Sequence, residues 1–289
     1  MFIFMIVWTT GKRSCEQDKN RATLHQKLFA DEDMSQFGKA LDLFDSILVV
    51  TLKGQHERQD QAAKALETYG VPFQFFYGAD YRDRSVKELV TEQIYDPTYK
   101  EKNGKLSLTS GEIGCAASHR TLAEKIVEGH HNTVLVLEDD LIVLGDNIGA
   151  FVESRSTLPK SWNLLYLGYN KNNVSIPLSI RLKLASWYRL RFWFGSKRHD
   201  PSTIRRIFRR PYNSNWFHAG CFNGTHAYAI DRSAAKYLVN LQTPVKLEAD
   251  MALQHLVRFS GLNAYCPKYD VFDQRWDIPS LVGARESWH

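Results

Sequence analysis

Cysteine is scarce in this sequence. The 289 residues contain four cysteines, at positions 15, 115, 221 and 266, and no two of them have the C-x-x-C spacing of a zinc or redox site. The count is also too low for a scaffold that depends on disulfides. We therefore expect buried or incidental thiols in a reducing compartment.

Long hydrophobic runs and the common catalytic signatures are missing too. The apolar segment at residues 2–8 is too short to span a bilayer, so we interpret it as a strand or a packing segment, with a degenerate signal sequence as the alternative. The chain contains no G-x-x-x-x-G-K-[ST], G-x-G-x-x-G, H-E-x-x-H or G-x-S-x-G pattern. This removes the support for P-loop, dinucleotide-binding, zinc-protease and hydrolase-elbow interpretations.

The positive charge is concentrated in one segment. The whole chain has a formal charge of +5, with 37 Lys and Arg against 32 Asp and Glu. The basic window, residues 179–212, holds ten Lys and Arg against the single acid Asp200, which makes it +9 and leaves −4 for the rest (five minus nine). The window also contains Trp187, Trp193 and Phe194. We expect it to be a basic, aromatic excursion from the main fold.

From Asp45 onward, short apolar runs typical of buried strands alternate with helical patterns. The predicted strands are 47–52, 71–77, 132–137, 164–167 and 225–230. The predicted helices are 56–69, 110–128, 233–241 and 247–259. Thr109 and Glu112 have capping-box spacing at the start of the second helix. This alternation predicts an α/β sandwich with a mostly parallel central sheet.

Three consecutive carboxylates, Glu138, Asp139 and Asp140, follow the strand predicted at 132–137. Ligands of open α/β sheets bind beyond the carboxyl ends of strands, so this is the first place to expect a site. A hard divalent cation would relieve the repulsion among the three groups. A solvated acidic turn is the alternative. His226 and His255 are the histidines that could complete a metal site, and the sequence does not choose between them.

Several segments resemble glycosyltransferase family 25, which includes bacterial lipooligosaccharide and animal procollagen galactosyltransferases. The resemblance covers about residues 44–280. It rests on the motifs LTSGEIGCAASH at 108–119, LVLEDD at 135–140, GTHAYAI at 224–230, Thr51 and Arg58 near the first strand, and Asp250. It implies a GT-A fold over residues 44–289, with residues 1–43 as an N-terminal extension. It also implies a nucleotide-sugar donor, commonly UDP-galactose, and an inverting mechanism.

The resemblance also assigns roles to the carboxylates. Asp140 would bind Mn²⁺ or Mg²⁺, with Glu138 as a further ligand, and Glu138 or Asp139 would hold the ribose or a metal-bound water. Inversion by one displacement needs a carboxylate that takes the acceptor's proton. Asp250 is the first candidate for this base and Glu248 the second, although Asp250 could equally be a first-turn acid favoured by the helix dipole.

Weaker assignments place four more residues at the donor. They are Thr51, Arg58, Glu112 and Thr225. For Glu112 the capping role explains the residue equally well, and Thr225 could belong to a packed strand.

Two other classes of protein use similar features. A metal-dependent phosphoesterase or nuclease also gathers carboxylates at strand ends, and a nucleic-acid-binding module could use the basic window. The acidic remainder of the chain argues against nucleic acid. The basic and aromatic mixture instead suggests peripheral attachment to an anionic membrane. We expect this attachment at the cytoplasmic face of the membrane in preference to the lumen of the endoplasmic reticulum. A lipid-linked glycan would be a suitable acceptor there, in lipopolysaccharide biosynthesis.

Overall fold

The computed structural model describes residues 37–99, 107–129, 131–170, 178–194, 200–278 and 281. The segment predicted at residues 2–8 lies outside them, as do Lys197 and Arg198 of the basic window. The described strands are β1 Ser46–Thr51, β2 Gln74–Tyr77, β3 Thr133–Glu138, β4 Leu141–Val143, β5 Leu164–Asn170, β6 Arg210–Pro211, β7 Trp216–His218, β8 Asn223–Asp231, β9 Ala264–Pro267 and β10 Phe272–Gln274.

The described helices are α1 His56–Glu67, α2 Val86–Thr91, α3 Ser110–Glu128, α4 Ile148–Ser154, α5 Leu178–Trp193, α6 Pro201–Arg205, α7 Arg232–Gln242 and α8 Ala249–Phe259. Two short 3₁₀ turns, Gly145–Asn147 and Arg155–Thr157, flank α4. Residues 37–41 are also helical.

Eight strands form one mixed sheet in the order β2-β1-β3-β8-β5-β9-β7-β6. β7 and β8 run antiparallel to the other six strands, so most of the sheet points one way. β4 and β10 form a separate antiparallel pair. The predicted α/β architecture with a mostly parallel central sheet is confirmed.

The sheet is covered on both faces, as its continuous apolar strands require. On β3, Val134 and Val136 point into one core with α3, α7 and α8, while Leu135 and Leu137 point into the other with α1 and α4. All four side chains are fully buried. Phe37 and Leu41, at the end of the predicted extension 1–43, are buried in the second core as well.

Local signals placed several element ends correctly. The Thr109 hydroxyl accepts from the Glu112 amide at 3.2 Å, and the Glu112 carboxylate accepts from the Thr109 amide at 2.9 Å. This capping box starts α3 where the sequence predicted it. Gly70, just beyond α1, has φ +61°, a conformation that glycine adopts without steric cost. β2 starts at Gln74, later than predicted, after Pro72, which has no amide hydrogen to donate.

The basic window is only partly an excursion. α5 and α6 leave the sheet, but β6 returns to its edge and pairs with β7. The expectation that all of residues 179–212 lie apart from the sheet is therefore wrong, because the last residues supply an edge strand. No helix in the described part of the chain is both long and apolar enough to cross a bilayer.

We predict opposite effects for two Gly→Ala substitutions. A Cβ at Gly168 on β5 would lie 2.6 Å from the carbonyl oxygen of Phe272 and 2.8 Å from the ring of His226. Gly168→Ala should therefore lower the free energy of unfolding by about 1–3 kcal/mol. Gly149→Ala in α4, where no atom lies within 4 Å of the new carbon, should raise it by about 0.5–1 kcal/mol. Urea denaturation measures both, and equal effects would contradict the packing described for β5.

Candidate active site

A cavity of about 290 Å³ opens at the carboxyl edge of the sheet, beyond the ends of β1 and β3. Parallel strands that end at one edge bring distant segments of sequence together. The cavity is lined by nine of the predicted site residues, Thr51, Arg58, Glu112, Glu138, Asp139, Asp140, Thr225, Glu248 and Asp250. These residues form one candidate site.

Arg58 is bound to two of the three consecutive carboxylates. Its Nε and Nη2 lie 2.7 Å and 2.6 Å from Asp139 Oδ1, and Nη2 lies 3.0 Å from Asp140 Oδ2. The Thr51 hydroxyl donates to Asp139 Oδ2 at 2.6 Å. Both oxygens of Asp139 are therefore engaged inside the protein. Thr51 and Arg58 act here by holding Asp139, and direct contact of these two side chains with a donor stays a prediction.

Asp140 differs from Asp139 in the hydrogen bonding of its two oxygens. Oδ2 accepts from the Gln274 side-chain amide at 2.9 Å, whereas Oδ1 is buried and has no hydrogen-bond partner among the described residues. Burial, and then the negative charge of Glu138, raise the pKa of Asp140 to about 6. A buried carboxylate oxygen without a donor is the kind of group that a hard cation satisfies.

Glu138 lies in a different electrostatic environment. One of its oxygens accepts a short hydrogen bond from the Thr225 hydroxyl, and His119 Nε2 lies 3.5 Å from the same oxygen. Burial alone would raise the pKa of Glu138, but His119 and Thr225 outweigh it and hold that pKa below its usual value. Glu138 is thus ionised at a pH where Asp140 still takes up a proton.

Cys115, His119 and Glu138 form a second group that could hold a metal ion, with one ligand atom from each within 4.8 Å of the others. Cys115 and His119 are one helical turn apart on α3. Burial and the surrounding carboxylates raise the pKa of the Cys115 thiol well above its usual value. The oxygen donors around Asp140 suit Mn²⁺ or Mg²⁺ better.

The two candidate bases lie at the N-terminus of α8. Asp250 is in its first turn, and Asp250 Oδ2 accepts from the backbone amide of Gly224 at 3.3 Å. Glu248 immediately precedes the helix and makes no capping hydrogen bond with its side chain. Both residues line the same cavity as Asp140, which brings a possible base and a possible cation site into one space.

The structure does not bring the two predicted metal-binding histidines into the cavity. His255 lies on α8 between two tyrosines, with Nδ1 2.8 Å from the Tyr237 hydroxyl and Nε2 3.3 Å from the Tyr99 hydroxyl. Both ring nitrogens of His255 lie beside tyrosine hydroxyls, and the residue does not line this cavity. His226 is fully buried on β8, and burial lowers its pKa.

Sequence reasoning missed several residues of the site. Gln274 on β10 holds Asp140 although 134 positions separate them, and nothing in the sequence near either residue signals the pairing. Asn170, at the end of β5, lines the cavity as well. Cys115 could have been found, because it stands four residues before His119 on a helix whose start was predicted.

Together the fold and the cavity define an α/β protein with its carboxylates gathered at the carboxyl edge of the sheet. The family model described as glycosyltransferase family 25 (LPS biosynthesis protein) matches residues 44–253. The protein therefore belongs to glycosyltransferase family 25, which confirms the resemblance found in its motifs.

Individual relatives agree with this family. Procollagen galactosyltransferase 1-A of Xenopus laevis is 27% identical over 140 residues, which cover 46% of this chain and 23% of that protein. A Haemophilus influenzae protein described as a candidate glycosyltransferase is 25% identical over 215 residues, covering 72% of this chain and 61% of its own. The chain thus spans about a quarter of the procollagen relative's length.

One solved structure has a distant likeness to this chain. The inositol-1-phosphate CTP transferase of T. maritima matches 80% of this chain and 88% of its own, with 10% identity and a TM-score of 0.39. A likeness this weak carries no argument about the fold or the activity.

The raised pKa of Asp140 predicts a pH-dependent gain in stability for Asp140→Asn. The folded pKa of about 6 lies above the ordinary value of 3.8, so the carboxylate destabilises the metal-free fold as pH rises through this interval. The free energy of unfolding of Asp140→Asn, relative to that of the wild type, should rise by about 2–3 kcal/mol between pH 4 and pH 7. Denaturation curves in EDTA measure it, and parallel pH profiles for the two proteins would contradict the buried environment of Asp140.

Proposed function

We propose that this chain is a metal-dependent, inverting glycosyltransferase of GT-A type that moves a hexose from a nucleotide sugar to a glycan acceptor. The proposal rests on one observation above all. The buried Asp140 Oδ1 has no partner among the described residues, and Asp140 and Asp250 line the same cavity. An oxygen that suits a cation and a carboxylate that suits a base are what such a transfer requires.

Asp140 and Glu138 are the residues that would hold Mn²⁺ or Mg²⁺. When bound there, the cation would supply positive charge for the diphosphate that departs from the sugar. Asp139 could bind the cation only by losing its hydrogen bonds to Arg58 and Thr51, so we assign it the role of positioning Arg58. The positive charge of Arg58 also limits the repulsion between Asp139 and Asp140 before any ligand arrives.

Asp250 is the base that would take the proton of the acceptor hydroxyl. The hydrogen bond from the Gly224 amide orients its carboxylate at the N-terminus of α8. The displacement forms the new glycosidic bond as the bond to the diphosphate breaks, and the proton passes to Asp250. Glu248, which lines the same cavity, is the second candidate.

The donor and acceptor are proposed from the relatives. Galactose from UDP-galactose is the first choice, because several of the matching proteins are named procollagen galactosyltransferases. A glycan of lipopolysaccharide is the first choice of acceptor, because the family description names LPS biosynthesis. A panel of UDP-sugars with simple acceptors tests both choices.

Asp140→Asn should abolish metal-dependent release of UDP from UDP-galactose. Loss of one electrostatic contact in a transition state costs roughly 10²–10³ in rate, and loss of the cation should cost more. The matched control is Asp60→Asn, which changes an exposed aspartate on α1 and should keep the wild-type rate.

EDTA should inhibit the parent enzyme in the same assay. Near-wild-type turnover of Asp140→Asn at saturating Mn²⁺ would contradict the metal assignment. Cleavage of a nucleotide phosphodiester in place of sugar release would instead favour the phosphoesterase interpretation.

Asp250→Asn should lower kcat for sugar transfer far more than it weakens binding of the donor. Proton removal matters in the transition state and little in the ground state, so a base acts on turnover. Glu248→Gln, measured alongside, distinguishes the two candidates. If donor binding collapses together with kcat in Asp250→Asn, the residue is a ligand or a structural group and not the base.

A further inference from the structure

The outward face of α5 carries large apolar side chains where a helix packed on a protein core normally carries polar ones. Trp193 is 88% exposed, Phe194 83%, Leu182 60% and Leu190 56%. Trp187, Trp193 and Phe194 each lie three or four positions from Leu190, and Leu182 lies about two turns before it, so these side chains share one side of the helix. We infer that α5 is a membrane-docking helix that binds an anionic lipid surface, an inference that goes beyond the proposed transfer reaction.

The opposite face of α5 shows that this exposure is not a packing defect. Leu184, Ala185 and Tyr188 are half-buried on that side. The Tyr188 ring also lies 5.7 Å from the guanidinium of Arg258 on α8. The helix therefore already has a face toward the protein, and Trp193 and Leu190 belong to a second, outward face.

The charges beside the outward face all have one sign. Lys183, Arg189 and Arg191 are exposed, and residues 178–194 contain no Asp or Glu. The Arg191 guanidinium lies 4.5 Å from the centroid of the Trp187 ring. Long basic side chains that flank an apolar stripe can reach lipid phosphates while the rings enter the headgroup region.

Two arginines in the second half of the basic window, Arg206 and Arg209, have partners inside the fold. Arg206 donates to the carbonyls of Val257 and Leu262 at 3.2 Å and 2.9 Å. Arg209 donates to the Tyr169 hydroxyl at 3.1 Å. These two guanidiniums are engaged at the end of α8 and beside β5, so we base the docking surface on α5.

The charge pattern also decides between possible occupants. Two copies joined through this face would bring their basic side chains together, which disfavours self-association. Nucleic acid would accept the charges but would gain little from exposed Leu182 and Leu190. An anionic bilayer complements the basic residues and the apolar residues at once.

Sedimentation of the full chain with vesicles tests the docking helix. We expect binding to vesicles of phosphatidylcholine with phosphatidylglycerol and little binding to phosphatidylcholine alone. High salt should weaken the binding to anionic vesicles by up to roughly tenfold. Trp193→Ser with Phe194→Ser should reduce the bound fraction at both salt concentrations. Lys183→Gln, Arg189→Gln and Arg191→Gln together should remove the preference for anionic vesicles.

The matched control is Lys268→Gln with Tyr269→Ser, another exposed basic and aromatic pair, and it should bind as the wild type does. Variants that bind as wild type, or a wild type that binds neither vesicle, would overturn the inference. A wild type that binds no vesicles but forms a dimer or retains an oligonucleotide would overturn it as well, if the Trp193→Ser and Phe194→Ser variant loses that association. UDP release without lipid should be unchanged in every variant, so failure here leaves the transferase proposal intact.

Discussion

The guanidinium of Arg58 bridges Asp139 and Asp140, and the arrangement of the site depends on this contact. Three neighbouring carboxylates at a strand end would otherwise repel one another in a buried space. Arg58 and Thr51 donate hydrogen bonds to the two oxygens of Asp139. Gln274 donates a hydrogen bond to one oxygen of Asp140, the oxygen that also contacts Arg58. The other oxygen of Asp140 has no partner in the described part of the chain, and that is the atom on which the proposed chemistry depends.

The sheet makes this arrangement possible by ending its parallel strands at one edge. Thr51 ends β1 and Glu138 ends β3, and Thr225 lies near the start of the antiparallel β8. The buried carboxylate of Asp140 lowers the stability of the folded protein at neutral pH, because burial disfavours its charged form and raises its pKa to about 6. Binding sites commonly retain such groups because the ligand restores the favourable interactions that the protein alone leaves out.

Local patterns were enough to predict the layers, the capping box of α3 and the strand that delivers the carboxylates. The family resemblance singled out Asp250, which lines the same cavity as Asp140. The missed features all depend on tertiary contacts. The pairing of Gln274 with Asp140, the tyrosines that occupy His255, and the carbonyls that bind Arg206 come from distant segments, so no local pattern could show them.

The central claim is that Asp140 is the cation ligand while Asp139 stays with Arg58. An anomalous difference map from crystals grown with Mn²⁺ and UDP would test it directly. The account predicts a single manganese peak beside Asp140 Oδ1, with the Arg58 to Asp139 ion pair intact. A peak among Cys115, His119 and Glu138, or bound UDP without manganese at Asp140, would contradict it.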